Sequence, residues 1–289
     1  MKPRLTWCGS LLALGLLAAA PAQPFGLDLN KAIGELKNLK TVVSGPDEQE
    51  EHEIGRVAAA TLLGAAKPVR NQDVEAYVNR VGLWVALQSE RPNLPWRFVV
   101  LDDSSINAFA APGGYVLVTR GLLARLHNEA ELAGVLGHEI AHVVLKHHLQ
   151  ALRRDAGTQL LSDLASDAAA QQVGKANIPP QVLDAVSGQA KTLYSRGLDK
   201  SDEYAADQLG VLLAGRAGYD PYGLMSVLET LDSLDANSSS LALLYKTHPR
   251  PADRLAQLEK ASAQLDAFGR QPVVADRFTA AVAAAGKTR

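Results

Sequence analysis

The sequence predicts a mostly helical α+β fold with one small β-sheet beside a histidine-bearing helix. Three observations lead there. Aromatic residues are only 5% of the chain and alanine is abundant, a balance that favours helices over a β-sandwich. A single stretch, Trp96 to Thr119, is rich in strand formers. From Arg120 to Leu265 the apolar residues recur mainly at helical spacing.

Composition sets the outer bounds. The chain has 289 residues, 47% hydrophobic and 21% charged, which excludes disorder and low complexity for its bulk. Lys+Arg 29 against Asp+Glu 31 gives a net charge of −2. That lacks the basic excess of a nucleic-acid binder, so no nucleic acid is expected as a partner.

The N-terminus reads as a removable signal peptide over residues 1–22. Lys2 and Arg4 form a short positive region, Leu11 to Ala20 is apolar, and Ala20-Pro21-Ala22 offers a cleavage site. The apolar run is too short to span a bilayer as a permanent helix; an uncleaved anchor is the competing reading. Cys8 follows Trp7 and precedes the apolar run, which argues against a lipoprotein. Cleavage after Ala22 removes the one cysteine, leaving no disulfide and no thiolate ligand in the mature chain. No other run approaches a membrane span, so an exported soluble protein without a transmembrane anchor is expected.

Residues 23–50 are a polar lead-in that ends in the acidic run Asp47 to Glu51. Ile54, Val57, Ala58 and Leu62 then predict a helix from Glu51, stopped at Lys67-Pro68. Val74, Tyr77, Val78, Val81 and Val85 line one face of a second helix, from Asn71 to Ser89. Trp96 to Leu101, Ile106 to Ala110 and Tyr115 to Thr119 read as strands, the last two joined by a turn at Pro112-Gly113-Gly114. Helices follow at 120–127, 129–149, 151–172, 180–196, 201–217, 221–234 and 251–265. The segment 165–180 is either a connection or a lid over a cleft. The Ala-rich tail after Ala267 carries little signal for order.

The chemistry is carried by His138-Glu139-Ile140-Ala141-His142, an H-E-x-x-H string inside the helix that Asn128 and Glu131 would cap. Positions four apart share a helix face, so His138 and His142 can present two imidazoles to one metal ion. Glu139 lies one residue round. Zinc lowers the pKa of a water it binds to near neutrality, and a carboxylate beside it can take the proton. The bland alternative is two solvated histidines, which the apolar surroundings disfavour.

A catalytic zinc site needs a third ligand. His147 and His148 lie further along the same predicted helix and read as exposed. The better candidate is Ser201 to Asp207, where Glu203 and Asp207 are four apart. Glu203 can bind the metal and Asp207 can accept a hydrogen bond from a ligand imidazole. The competing reading is two solvated acids at a helix start.

With these residues in view the sequence resembles the zinc metallopeptidases of peptidase family M48, the HtpX and CAAX prenyl endopeptidase group, and especially its soluble exported BepA-like members. The resemblance runs over roughly residues 50–265. It is carried by Asn107-Ala108-Phe109-Ala110, Pro112-Gly113-Gly114-Tyr115-Val116, Thr119-Arg120-Gly121-Leu122-Leu123, Asn128 to Ala133, the H-E-x-x-H string, Glu203 to Asp207, and His248-Pro249 with Arg254. It implies a gluzincin-like metallopeptidase domain over 51–265 with a C-terminal tail at 266–289. His138, His142 and Glu203 would hold one Zn2+ per chain, with Glu139 as general base and Asp207 behind a ligand. The membrane-spanning segments of HtpX and the CAAX proteases, and the helical repeats of BepA, have no counterpart in this sequence.

His248 precedes Pro249 and is expected in extended backbone. By the resemblance it lies near the zinc, where it would either donate to an oxyanion or close the open metal position as a latch. Arg254 would stabilise the oxyanion or pair with Asp207. Ala110, Gly113, Gly114 and Tyr115 are expected to form a sheet edge along which substrate adds as a strand.

The leading expectation is an exported, periplasmic zinc endopeptidase acting on protein or peptide substrates, with envelope assembly machinery as a partner. The alternative is a zinc-containing chaperone or assembly factor with low turnover, closed by His248. Retention of Glu139 argues against a purely structural site. A serine hydrolase has no support, since neither G-x-S-x-G nor S-x-x-K occurs.

Overall fold

The computed structural model describes residues 48–152, 154–155, 180–235 and 237–285. The expected signal peptide, nearly all of the lead-in, the 165–179 part of the connection or lid, and residues 286–289 of the tail lie outside the described residues. Two helices open the described chain, α1 (Glu48–Ala65) and α2 (Gln72–Ala86), followed by strands β1 (Arg97–Leu101), β2 (Ala108–Ala111) and β3 (Tyr115–Thr119). Then come α3 (Arg120–Leu123), α4 (Glu129–Val144), a helical segment over 147–152, α5 (Pro180–Arg196), α6 (Lys200–Arg216), α7 (Gly223–Asp232), α8 (Ala242–Thr247), α9 (Pro251–Leu258), α10 (Ser262–Asp266) and α11 (Ala275–Ala285).

The sheet has the order β1-β3-β2. β3 pairs parallel with β1, Arg97 opposite Tyr115, and antiparallel with β2, Ala110 opposite Val116. The β2–β3 turn falls on Pro112-Gly113-Gly114, as the sequence predicts. Gly113 and Gly114 take φ of 77° and 99°, a region open to glycine but strained for other residues.

α4 is the axis of the fold. Its residues from Glu129 to Val143 are all buried, the pattern of a helix packed on every side. α2, α6, α7 and β2 surround it. Its start is fixed by a reciprocal cap. The Asn128 side chain accepts from the Glu131 amide at 2.9 Å, and the Glu131 carboxylate accepts from the His127 amide at 2.7 Å.

α4 and α6 touch backbone to backbone. A Cβ at Gly137 would lie 2.6 Å from the Gly210 carbonyl oxygen, and one at Gly210 would lie 2.6 Å from the His138 amide nitrogen. This contact lets Glu203 on α6 reach the histidines of α4. Gly210→Ala is therefore expected to force the helices apart, lowering stability by about 1–3 kcal/mol and weakening metal binding. Denaturant unfolding and a zinc titration check this; an unchanged midpoint and affinity would contradict it.

Three features depart from the sequence reading. The helix expected over 129–149 stops at Val144, and Lys146 takes a left-handed φ of 59°. α8, a single short helix before His248, was not expected. The tail carries α11, because Phe278 buries against Tyr77 and Arg277 pairs with Glu129 at 2.6 Å. Such long-range anchors leave no local pattern in an Ala-rich segment. Glu51, in the acidic run, is 1% exposed and binds Arg91 at 2.8 Å and the Gly113 amide at 3.2 Å. Burial alone would raise its carboxyl, but Arg91, Lys146 and the Gly113 amide hold it below the ordinary value. No helix among the described residues is long and apolar enough to cross a membrane.

Candidate metal centre

His138 and His142 stand one turn apart on α4, their rings edge to face, with Nε2 atoms 3.1 Å apart. Glu203, in the first turn of α6, brings Oε2 within 3.7 Å of His138 Nε2 and Oε1 within 3.5 Å of His142 Nε2. All three side chains are buried, and these three groups offer converging ligand atoms. Among the described residues Glu203 Oε2 has no hydrogen-bond partner.

These donors fit a metal ion on chemical grounds. His138 Nδ1 faces the Asp207 carboxylate at 2.9 Å, so Nδ1 carries the proton and Nε2 presents a lone pair. That lone pair, His142 Nε2 and a bare carboxylate oxygen would point at one another in a dry site. An unneutralised cluster of this kind is costly, and a cation removes the cost. Tetrahedral zinc with Zn–N of 2.0–2.1 Å sets its ligands about 3.3–3.4 Å apart. The observed 3.1, 3.5 and 3.7 Å bracket that spacing.

The surrounding groups are ordered by charge. Asp207 accepts from Arg254 through both oxygens, at 2.9 and 2.5 Å. Burial pushes the Asp207 carboxyl up, but Arg254 and His138 outweigh it and hold it well below the carboxylate range. Of the two roles expected for Arg254, the geometry has the pair with Asp207: the guanidinium is committed to that carboxylate. Glu139 is buried beside the histidines, and burial pushes its carboxyl up to about 8. Burial lowers the imidazoles of His138 and His142 below their ordinary value.

His248 caps α8 in extended backbone (φ −127°, ψ 153°), as its proline neighbour predicts. Its Nδ1 lies 2.9 Å from Thr247 Oγ1, and its Nε2 lies 3.6 Å from Glu203 Oε2. The ring therefore sits on the same side of the cluster as the unpartnered carboxylate oxygen.

Two expectations need correction. His147 and His148 are not exposed residues on a continuing helix. Lys146, left-handed, breaks the helix, and Glu51 lies 3.4 Å from its ammonium. His147, 7% exposed, places Nδ1 3.0 Å from His142 Nδ1. His148 stacks on Tyr194 at 5.2 Å, and burial lowers its pKa to about 3. The His147-His148 doublet, which four residues separate from the H-E-x-x-H string, was the available signal; nothing in the local sequence marks Lys146 as left-handed.

The second correction concerns the substrate edge. Tyr115 lies on the middle strand, paired on both sides. The Gly114 carbonyl accepts from the Arg97 amide and the Gly113 amide donates to Glu51, so neither of these groups is free to hold a peptide. The edge beside the histidines is β2. Asn107 bonds inward to Thr119, so by antiparallel alternation Ala108 and Ala110 direct their main-chain groups outward. The Ala110 carbonyl is taken by the Tyr194 hydroxyl at 2.8 Å, and the Ala108 amide donates to the Asn107 side-chain oxygen at 3.0 Å. A narrow cleft beside this edge is lined by Ala108, Phe109, Glu139, His142, Tyr194 and His248. Tyr194 was missed because nothing in α5 marks it apart from a core aromatic.

Comparison with known proteins decides the family. The model of Peptidase family M48 matches residues 71–262. The chain belongs to peptidase family M48. Among its relatives is the putative beta-barrel assembly-enhancing protease of Vibrio cholerae, 31% identical over 249 residues, which covers 84% of this chain and 50% of that protein. The beta-barrel assembly-enhancing protease of Escherichia coli K12 is 27% identical over 219 residues, 75% of this chain and 44% of that protein. The mitochondrial metalloendopeptidase OMA1 of Schizosaccharomyces pombe is 31% identical over 189 residues, 64% of this chain and 52% of that protein. This M48 chain thus spans about half the length of these relatives.

Proposed function

We propose that this protein is an exported, periplasmic zinc endopeptidase that cuts unfolded or misassembled envelope proteins, with its peptidase domain over residues 51–265. The observation that carries the reading is the Glu203 carboxylate set between the two H-E-x-x-H imidazoles, with Glu139 beside them. His138, His142 and Glu203 would hold one zinc ion per chain. Bound zinc supplies Lewis acidity, which acidifies water and polarises a carbonyl.

The remaining steps belong to the chain's own residues. Beside a bound dication the Glu139 carboxyl would be drawn back down from the value that burial gives it, so that Glu139 takes a proton from the attacking water and returns it to the leaving amine. Asp207 fixes the His138 tautomer, and Arg254 keeps Asp207 charged and in place. The outward edge of β2 offers main-chain groups to an extended peptide beside Glu139; Tyr194 must release the Ala110 carbonyl, and the Asn107 side chain the Ala108 amide, for that edge to be read in full. Residues 1–22 would direct export and be removed after Ala22. Two relatives are named for beta-barrel assembly, which supports envelope proteins as substrates and assembly machinery as a partner.

His248 favours a latched resting state, since its Nε2 faces Glu203 Oε2 at 3.6 Å. As a fourth ligand it would hold the peptidase latent, and a latched chain would serve chiefly as a chaperone or assembly factor. The test is His248→Ala, assayed on casein and on itself. The latch predicts faster cleavage, self-cleavage included. A loss of about a hundredfold with zinc still bound would instead make His248 an oxyanion donor.

A further inference from the structure

We propose that His147 and Asp202 form a second positioning chain that sets the tautomer of His142, as Asp207 does for His138. The inference rests on the metal-centre reading given above. His138 and His142 offer the cluster their Nε2 atoms, so each needs its Nδ1 proton held elsewhere. For His138 the holder is the Asp207 carboxylate. For His142, among the described residues, the atom facing Nδ1 is not a carboxylate oxygen but His147 Nδ1, at 3.0 Å.

Two facing Nδ1 atoms at that distance share one proton. If His142 presents the Nε2 lone pair, its Nδ1–H is the donor and His147 Nδ1 is the acceptor. The remaining proton of neutral His147 is then on Nε2. That atom lies 3.9 Å from Asp202 Oδ1, a span that one water can bridge. The chain of donation runs outward from His142 through His147 to Asp202, in one direction and without conflict.

The fold supplies each part deliberately close to the next. Lys146, left-handed, breaks the helix, and His147 just after it meets His142 edge to face, ring centroids 5.1 Å apart. The first turn of α6 then serves both shells: Glu203 faces the two imidazoles, and its neighbour Asp202 faces His147. One helix start therefore fixes the third ligand and the outer end of the chain together.

Two measurements on the full chain test this. In the zinc-loaded protein, nitrogen-15 shifts of the histidines should show His147 as the Nε2–H tautomer; the Nδ1–H tautomer overturns the proposal. Zinc affinity is then compared by chelator competition for the parent, His147→Phe and His147→Asn, with the apo melting temperature as a check on folding. Phe fills the space without an acceptor and should weaken zinc about 10–100-fold. Asn offers an acceptor oxygen and should recover a measurable part of that loss. Equal affinities for the parent and the Phe variant, or an Asn variant no better than Phe, reject the role of His147. A parent that binds no zinc would instead reject the metal centre itself, and a Phe variant that fails to fold leaves the tautomer measurement to decide.

Discussion

Glu139→Gln is expected to keep its zinc and its fold while losing peptide hydrolysis by about 10²–10⁴-fold. The amide has the shape of the carboxylate but cannot accept a proton. Among the described residues the hydrogen bonds of Arg254 run to Asp207 and His138 and not to Glu139, so replacing Glu139 leaves the His138–Asp207–Arg254 network intact. The loss should appear in kcat, because the proton moves only during reaction. The comparison is made on casein with parent and variant at equal zinc content. Undiminished hydrolysis by Glu139→Gln would remove the base from the mechanism.

Glu203→Ala is expected to lose zinc outright. On the proposed site the substitution would remove one of three ligand groups and also the negative charge that would offset a dication in a buried site. The loss in affinity should exceed the about 10–100-fold that changes behind the ligands cost, and hydrolysis should fall with it. Glu203 is 1% exposed, so the small alanine also leaves a gap, and apo stability must be measured alongside. Glu203→Gln keeps the volume and separates the two effects: it should bind zinc weakly while melting near the parent. Zinc retention in Glu203→Ala at parent affinity would place the third ligand elsewhere.

What the sequence revealed follows from how local each signal is. The spacing of His138 and His142 is a property of one helix, and Asn128 with Glu131 marks that helix's start three residues apart. Pro249 constrains His248 without reference to the rest of the chain. The turn at Gly113-Gly114 is equally local. The pairing of the middle strand is not, and so Tyr115 was assigned to an edge that belongs to β2. Arg254 left two options open, and only the approach of α9 to α6 selects Asp207. His147, Tyr194 and Glu51 act through partners 5, 84 and 40 positions away. In the first case the helix pattern pointed the wrong way, because Lys146 adopts a conformation that side chains rarely take.

The most direct test of the central claim is the zinc content of the purified protein, read together with casein hydrolysis before chelation, after chelation and after zinc is restored. The account predicts about one zinc per chain, hydrolysis that disappears with the metal and returns with it, and neither property in Glu203→Ala. Because a latched site would turn over slowly, the same series is run on His248→Ala. A metal-free chain that still cleaves casein, or a fully zinc-loaded parent and His248→Ala that both leave casein intact, would contradict it.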